Sequence, residues 1–393
     1  MRRRALKIAA IVPYYSEEIK RTLRLTYEYS PGGLNKILPM VRLLARDHAL
    51  TVLSTGYAKR ADFRWIARRE EKLALGGRPV RVVYPGYLAV RYLSFLEITL
   101  ACWRECLRQK PDLIMFYNFR VESLFPALLA KLFGGAKILC QFEDGLHVLF
   151  PPGSVRGLVF RALYGLGKRW SDGFTLVNGD LRTEFPERTS VVVPFILSDE
   201  EGASARPQLF RLKDAPVIRV AYSGTLDRER GADVFLEAAR RLRGNPRFHF
   251  FVTGRGPLLD RVLERAGRRE NLTYAGLLSE NEVGAHLREM DILVNPQKRS
   301  HPFARYSFPS KVMRYILLNR PIVSTDFRDI SEVSAPGLFF YGNDDPGDLA
   351  RVLAGLADRD VEVDYRTLFE KFSETKIRDA LQTLIQRLAA ARA

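Results

Sequence analysis

Short apolar runs recur along this chain, each bounded by turn residues and separated from the next by a stretch of helical periodicity. Leu6 to Pro13, Leu50 to Ser54, Val80 to Tyr84, Pro111 to Phe116, Lys137 to Gln141, Phe174 to Val177 and Val191 to Pro194 read as strands in the first half. Val217 to Ser223, Phe248 to Thr253, Leu272 to Ala275, Ile292 to Asn295, Ile322 to Thr325 and Leu338 to Tyr341 repeat the plan in the second. Between them, Leu34 to Arg46 places Ile37, Leu38, Val41, Leu44 and Ala45 at helical spacing, after a Pro31-Gly32-Gly33 turn. Gly231 to Leu242, Pro257 to Ala266, Glu280 to Met290 and Pro309 to Leu318 do the same later on, and Pro346 to Leu356 and Glu374 to Ala391 close the chain as helices. Alternation at this spacing predicts α/β folding, with parallel sheets covered by helices on both faces.

At 393 residues the chain is too long for one ordinary core and suits two. Ser198 to Pro216 has the weakest periodicity and reads as a linker. The expected layout is therefore a domain over 1–197, a linker over 198–216, a second domain over 217–373 and a last helix over 374–393.

Three cysteines, Cys102, Cys106 and Cys140, are too few for a disulfide framework and are expected as buried thiols in a reducing cytosol. No signal peptide is visible, and Tyr87 to Trp103, the longest apolar window, is broken by Arg91 and Glu97. The net charge of +17 calls for an anionic partner. No zinc-finger spacing or RNA-binding phrase accompanies it, so nucleic acid is not expected. An anionic donor and the inner face of a membrane are, with the chain cytoplasmic or peripheral. Ala58 to Leu73 is expected to be a basic helix carrying Arg60, Arg64 and Arg68 on one side, suited to an anionic interface or to plain solvation. Leu158 to Trp170 is also basic and aromatic, and there packing is favoured over membrane contact. Asp358-Arg359-Asp360 lies between late helical segments and reads as surface charge, so no metal site is expected.

The phrase most specific for chemistry is Arg305-Tyr306-Ser307-Phe308-Pro309-Ser310-Lys311-Val312-Met313-Arg314-Tyr315, followed by Asn319-Arg320-Pro321 and the strand Ile322 to Thr325. Pro309 suits the first turn of a helix. Ser310 and Lys311 then fall where free N–H groups and the positive dipole end hold a phosphate. The segment resembles the donor-binding signature of GT-B glycosyltransferases of the family 4 (group 1) type. Ser223-Gly224-Thr225-Leu226 with Arg230-Gly231, Thr253-Gly254-Arg255-Gly256-Pro257, and Tyr274-Ala275-Gly276-Leu277 resemble the other loops of that family.

The resemblance implies two Rossmann-like domains facing a cleft, with the last helix crossing back to the first domain. It implies a retaining transfer of sugar from a nucleotide-diphosphate donor, UDP- or GDP-linked, to a hydroxyl acceptor, without a metal or other cofactor. Arg230 and Lys311 would neutralise the leaving diphosphate. Gly32, Gly33, Gly224, Thr225, Gly254, Gly276, Tyr306, Ser307, Phe308, Pro309, Ser310 and Arg314 would line the donor. The acceptor would be a saccharide or lipid-linked precursor, as in surface polysaccharide assembly.

In Gln141-Phe142-Glu143-Asp144-Gly145, Glu143 and Asp144 end a strand where open α/β sheets place ligands. Either could orient the acceptor hydroxyl. In an extended chain they would point opposite ways, and Asp144 could equally cap a helix. His147 is expected to be structural. The family's two usual glutamates are here Tyr306 and Arg314, and the usual Arg after the first Gly is Thr225. Arg314 cannot accept from ribose hydroxyls. Either it turns to an acidic group or the backbone holds the nucleotide. The alternative reading is a catalytically degenerate GT-B module that binds a sugar nucleotide or a protein partner.

Overall fold

The computed structural model describes residues 5–23, 31–56, 63–90, 93–186, 189–268, 271–342 and 344–390. They form two compact units, Met1–Ile196 with Glu374–Ala393, and Leu197–Ser373.

The first unit is built on an eight-stranded sheet. Its order is Ser190–Val192, Gly173–Leu176, Lys137–Phe142, Leu113–Tyr117, Lys7–Val12, Ala49–Ser54, Arg78–Tyr84 and Arg69–Leu75. All neighbours are parallel except the last pair, an antiparallel hairpin closed at Gly76-Gly77. Residues of Lys7–Val12 alternate between faces, so Ile8, Ala10 and Val12 turn to one side. There they meet Ile37, Met40, Val41 and Leu44 of helix Pro31–Asp47, and Leu381, Ile385 and Leu388 of helix Glu374–Ala390. Arg46 pairs with Glu374 at 2.6 Å, and Arg378 pairs with Asp47, so this last helix is fastened by charge as well as by apolar burial. Helices Leu93–Gln109, Val121–Gly134 and Val155–Trp170 pack on one another elsewhere in the unit: Trp103 lies 5.9 Å from Phe133, and Lys131 donates to Trp170 O at 2.8 Å.

Two expectations fail in this unit. Helix Pro31–Asp47 begins at the proline, so Gly32 and Gly33 lie in its first turn and not in a turn before it. Proline suits a first helical position, where its missing N–H costs nothing. The basic helix expected over 58–73 is not formed in its described part, 63–73. Trp65–Ile66 pairs with Tyr87–Leu88, and Arg69–Leu75 is an edge strand of the sheet. Burial in Arg69–Leu75 alternates, with Glu71, Leu73 and Leu75 the more buried, so a period of two overrides the four-residue spacing of arginines. Arg60 lies outside the described residues.

The second unit holds six parallel strands in the order Leu272–Tyr274, Phe248–Thr253, Ile218–Ser223, Ile292–Asn295, Ile322–Thr325 and Leu338–Tyr341. The chain runs outward from Ile218–Ser223 first one way and then the other. That strand and Ile292–Asn295 therefore flank the switch point, where loops diverge and leave a crevice at the carboxyl ends. The stretch 198–216, expected as a linker, belongs to this unit. Ser198 and Glu201 form a reciprocal cap on helix Asp199–Ser204, and Gln208–Phe210 pairs antiparallel with Val361–Val363. Phe210 and Leu212 are buried, so the segment earns its order through packing that its own periodicity does not display.

A candidate anion site and a buried acid pair

In the second unit, four loops meet at the carboxyl ends of the strands. Gly224 N donates to Thr253 O, Gly254 N to Gly276 O, and Leu226 N to Arg255 O, at 3.1, 3.1 and 2.9 Å. The expected donor-lining residues Gly224, Thr225, Gly254 and Gly276 are thus stitched into one surface. Gly254 has φ 131°, and a Cβ there would lie 2.0 Å from Gly224 O, so no other residue allows the loops to approach this closely.

Helix Ser310–Leu317 points its first turn at this surface. Pro309 is its N-cap and supplies no side-chain cap. The Lys311 side chain runs back to within 3.1 Å of where a Gly224 Cβ would be, and Nζ sits 4.0 Å from the Tyr222 ring centroid. Nζ is buried and has no hydrogen-bond partner, although the lysine as a whole is partly exposed. Burial, and then the positive charge of Arg230, brings the Lys311 amine down to about 7, against the opposing pull of Asp227. Arg230 is held by Asp227, which accepts from its N–H at 2.7 Å and from its guanidinium at 2.5 Å. The neighbouring Tyr222 hydroxyl is already committed to Thr225 O at 2.6 Å. A buried ammonium with three unused donors beside a second cation is costly unless an anion completes it.

The rest of the 305–315 phrase supports this turn. Tyr306, Ser307 and Phe308 are buried; Ser307 Oγ accepts from Gln297 Nε2 at 3.1 Å, and Phe308 packs edge-on to Phe327 at 5.8 Å. Tyr315 OH accepts from Ser223 N at 3.3 Å and ties the helix to the central strand. Arg314 turns to a carboxylate, but to one of this chain: it pairs with Glu280 at the start of helix Glu280–Arg288.

In the first unit, Glu143 and Asp144 follow strand Lys137–Phe142. They do not point opposite ways. Asn118 Oδ1 accepts from both their backbone N–H groups, at 2.7 and 3.2 Å, and its Nδ2 donates to Asp144 Oδ2 at 3.1 Å. The bend so imposed brings both carboxylates to the Tyr117 hydroxyl, which lies 3.3 Å from Glu143 Oε2 and 3.5 Å from Asp144 Oδ2. Gln141 Nε2 donates to Glu143 Oε1 at 2.6 Å, and Lys36 Nζ lies 3.6 Å from Glu143 Oε2. Burial raises the pKa of both acids, and Lys36 opposes it. Helix Leu146–Leu149 is capped at Gly145 without a side-chain bond, so Asp144 is not its cap. His147 stacks on Tyr164 at 3.9 Å, a structural role.

Sequence reading missed Asn118, Lys36, Asp227 and Glu280. Asn118 carried one visible signal, its place just past an apolar strand, and its φ of 55° suits a residue that tolerates the left-handed region.

Residues 218–359 match the family described as "Glycosyl transferases group 1". The match falls within the second unit. No curated protein matches the chain by sequence. Among solved structures, a sucrose-phosphate synthase from Thermosynechococcus elongatus aligns over 99% of this chain and 100% of its own, with 12% identity and a TM-score of 0.64. A lipopolysaccharide outer core galactosyltransferase aligns over 96% and 99%, with 13% identity and a TM-score of 0.59. An E. coli structure titled trehalose-6-phosphate, bound with UDP-2-fluoro glucose, aligns over 97% and 96%, with 14% identity and a TM-score of 0.57. At these identities the likeness establishes the fold, which is that of the GT-B glycosyltransferases.

Proposed function

We propose that this glycosyltransferase moves a sugar, with retention of configuration, from a UDP- or GDP-sugar to a hydroxyl of a lipid-linked or surface-polysaccharide precursor. The observation that carries the donor half is the unpartnered Lys311 Nζ beside Arg230 at the first turn of helix Ser310–Leu317. A diphosphate placed there receives the ammonium, the guanidinium and the free N–H groups of the turn. Charge building on the leaving phosphate is then met by fixed donors and needs no metal. The phosphate oxygen takes the acceptor's proton as the hydroxyl attacks on the face the leaving group departs. Glu143 and Asp144 orient that hydroxyl. A UDP-2-fluoro glucose complex among the similar structures and a lipopolysaccharide galactosyltransferase fold-mate support the donor and acceptor classes.

The test is a thermal-shift panel of UDP, GDP, ADP, dTDP and CMP with their sugars, followed by NMR of the anomeric configuration after transfer. Ligand at a hundredfold excess over Kd adds about 2.7 kcal/mol, a visible shift. A shift by one nucleotide and a retained anomer are expected. No shift with any of them favours a degenerate module that binds a protein partner.

A further inference from the structure

The exposed large apolar side chains are concentrated in the first unit, and several lie on two helices already shown to touch. On Val155–Trp170, Leu163 and Gly167 are buried, while Val155 is 77% exposed and Leu158 58%, with Val159 beside them and Trp170 at the far end. On Val121–Gly134, Leu132 is 60% exposed and Phe133 69%. Lys131 Nζ bonds Trp170 O at 2.8 Å, which ties the two helices together at that end.

The charge on helix Val155–Trp170 is basic, and the nearby Asp172 is paired with Lys131 at 2.8 Å. From Gly145 to Ser171 the chain contains no Asp or Glu, whereas Arg156, Arg161, Lys168 and Arg169 all fall within it. Arg156 and Arg169 are exposed beside the apolar residues. Exposed Leu, Val and Phe rimmed by arginine, with a Trp at the border, suit a surface that is apolar beneath and anionic above. A protein partner would need matching acids around an apolar patch; an anionic bilayer supplies both at once.

We propose that helices Val121–Gly134 and Val155–Trp170 form a docking face for an anionic lipid bilayer. The proposal deepens the acceptor reading above and rests on it for its purpose. Helix Val155–Trp170 follows the acid pair in sequence, joined to it by helix Leu146–Leu149 and the Pro151-Pro152-Gly153 turn. A docked face would hold Glu143 and Asp144 near a lipid-borne hydroxyl. It also moves the membrane contact away from 63–73, whose residues form strands and not a helix.

The test is co-sedimentation of the full chain with phosphatidylcholine vesicles, with and without phosphatidylglycerol, at low and high salt. Binding only to the anionic vesicles, weakened by salt, is expected. Leu158→Glu with Val159→Glu should lower the partition coefficient at least about tenfold, some 1.4 kcal/mol. Arg156→Gln with Arg169→Gln should weaken binding and flatten its salt dependence. Equal binding to both vesicle types, or no change in the glutamate variant, overturns the proposal. So does a dimer in sedimentation velocity that the glutamate variant abolishes, since a second copy would then own the face. Nucleotide thermal shifts on the unmutated chain separate the two readings: failure of the parent to bind anionic vesicles with intact nucleotide shifts sinks only the docking face, and the reverse sinks only the donor site.

Discussion

The two units bury charge in opposite ways. In the second, Lys311 Nζ has no hydrogen-bond partner and lies against the Tyr222 ring. In the first, Glu143 and Asp144 are equally withdrawn from water, yet Tyr117, Asn118, Gln141 and Lys36 all answer them. A buried amine without a partner gives up its charge more readily until an anion completes it, whereas an answered charge fixes a geometry. On the proposed function, the anion site is the part of the chain that waits, and the acid pair is the part that positions.

The largest effect should follow from removing the unanswered charge. Lys311→Met is expected to weaken nucleotide-diphosphate binding by roughly 10–100-fold, the worth of a charged hydrogen bond of about 1.5–3 kcal/mol. The same variant should be more heat-stable without ligand at pH 7. The Lys311 pKa is lowered on folding to about 7, so the unfolded chain holds the extra proton between there and its ordinary 10.5. The burial penalty is full below pH 7 and fades as pH rises through that window. The stability gap between variant and parent should narrow accordingly in calorimetry between pH 7 and 10. A variant less stable than its parent at pH 7 would mean that the amine is paired after all.

Next, in order of effect on nucleotide binding, is Asn118→Leu, whose main effect falls on stability instead. It strands the N–H groups of Glu143 and Asp144 and forces a bulky residue to φ 55°, at a cost of about 2–4 kcal/mol in chemical denaturation. Nucleotide affinity should stay within threefold of the parent, because the proposed nucleotide contacts lie in the other unit. A large loss of nucleotide binding would erase the division of labour.

The smallest effect is expected at Arg314→Glu. Glu280 is mostly exposed, so the lost ion pair and the new repulsion together are worth about 1 kcal/mol or less, and adding Glu280→Arg should restore it. A change of more than tenfold in nucleotide affinity would promote Arg314 from a structural partner to a donor contact.

Much of the fold was legible because its signals are local. Apolar runs such as Ile218–Ser223 and Ile292–Asn295 are buried strands, and the 305–315 phrase holds its cap, cation and apolar side within one helix. Lys311 was legible for the same reason. The acid network was not: Asn118 reaches Glu143 only because strands Leu113–Tyr117 and Lys137–Phe142 lie side by side, with Tyr117 opposite Gln141. Segment 69–75 misled because Arg60, Arg64 and Arg68 imitate a helical stripe just before it, while the deciding alternation of Glu71, Leu73 and Leu75 is muted on an edge strand. The pairing of Gln208–Phe210 with Val361–Val363 is likewise invisible from the polar stretch that contains it.

The most direct test of the waiting charge is proton uptake on donor binding. Isothermal calorimetry with UDP-glucose or GDP-glucose, whichever binds, would be run at pH 8 in buffers of different ionisation enthalpy. These donors carry no phosphate that titrates near neutrality, so uptake reports on the protein. An amine near 7 is mostly neutral at pH 8 and must charge to meet a diphosphate. Uptake approaching one proton in the parent, absent in Lys311→Met, is the expected result. Tight donor binding with no proton taken up by the parent would contradict the account.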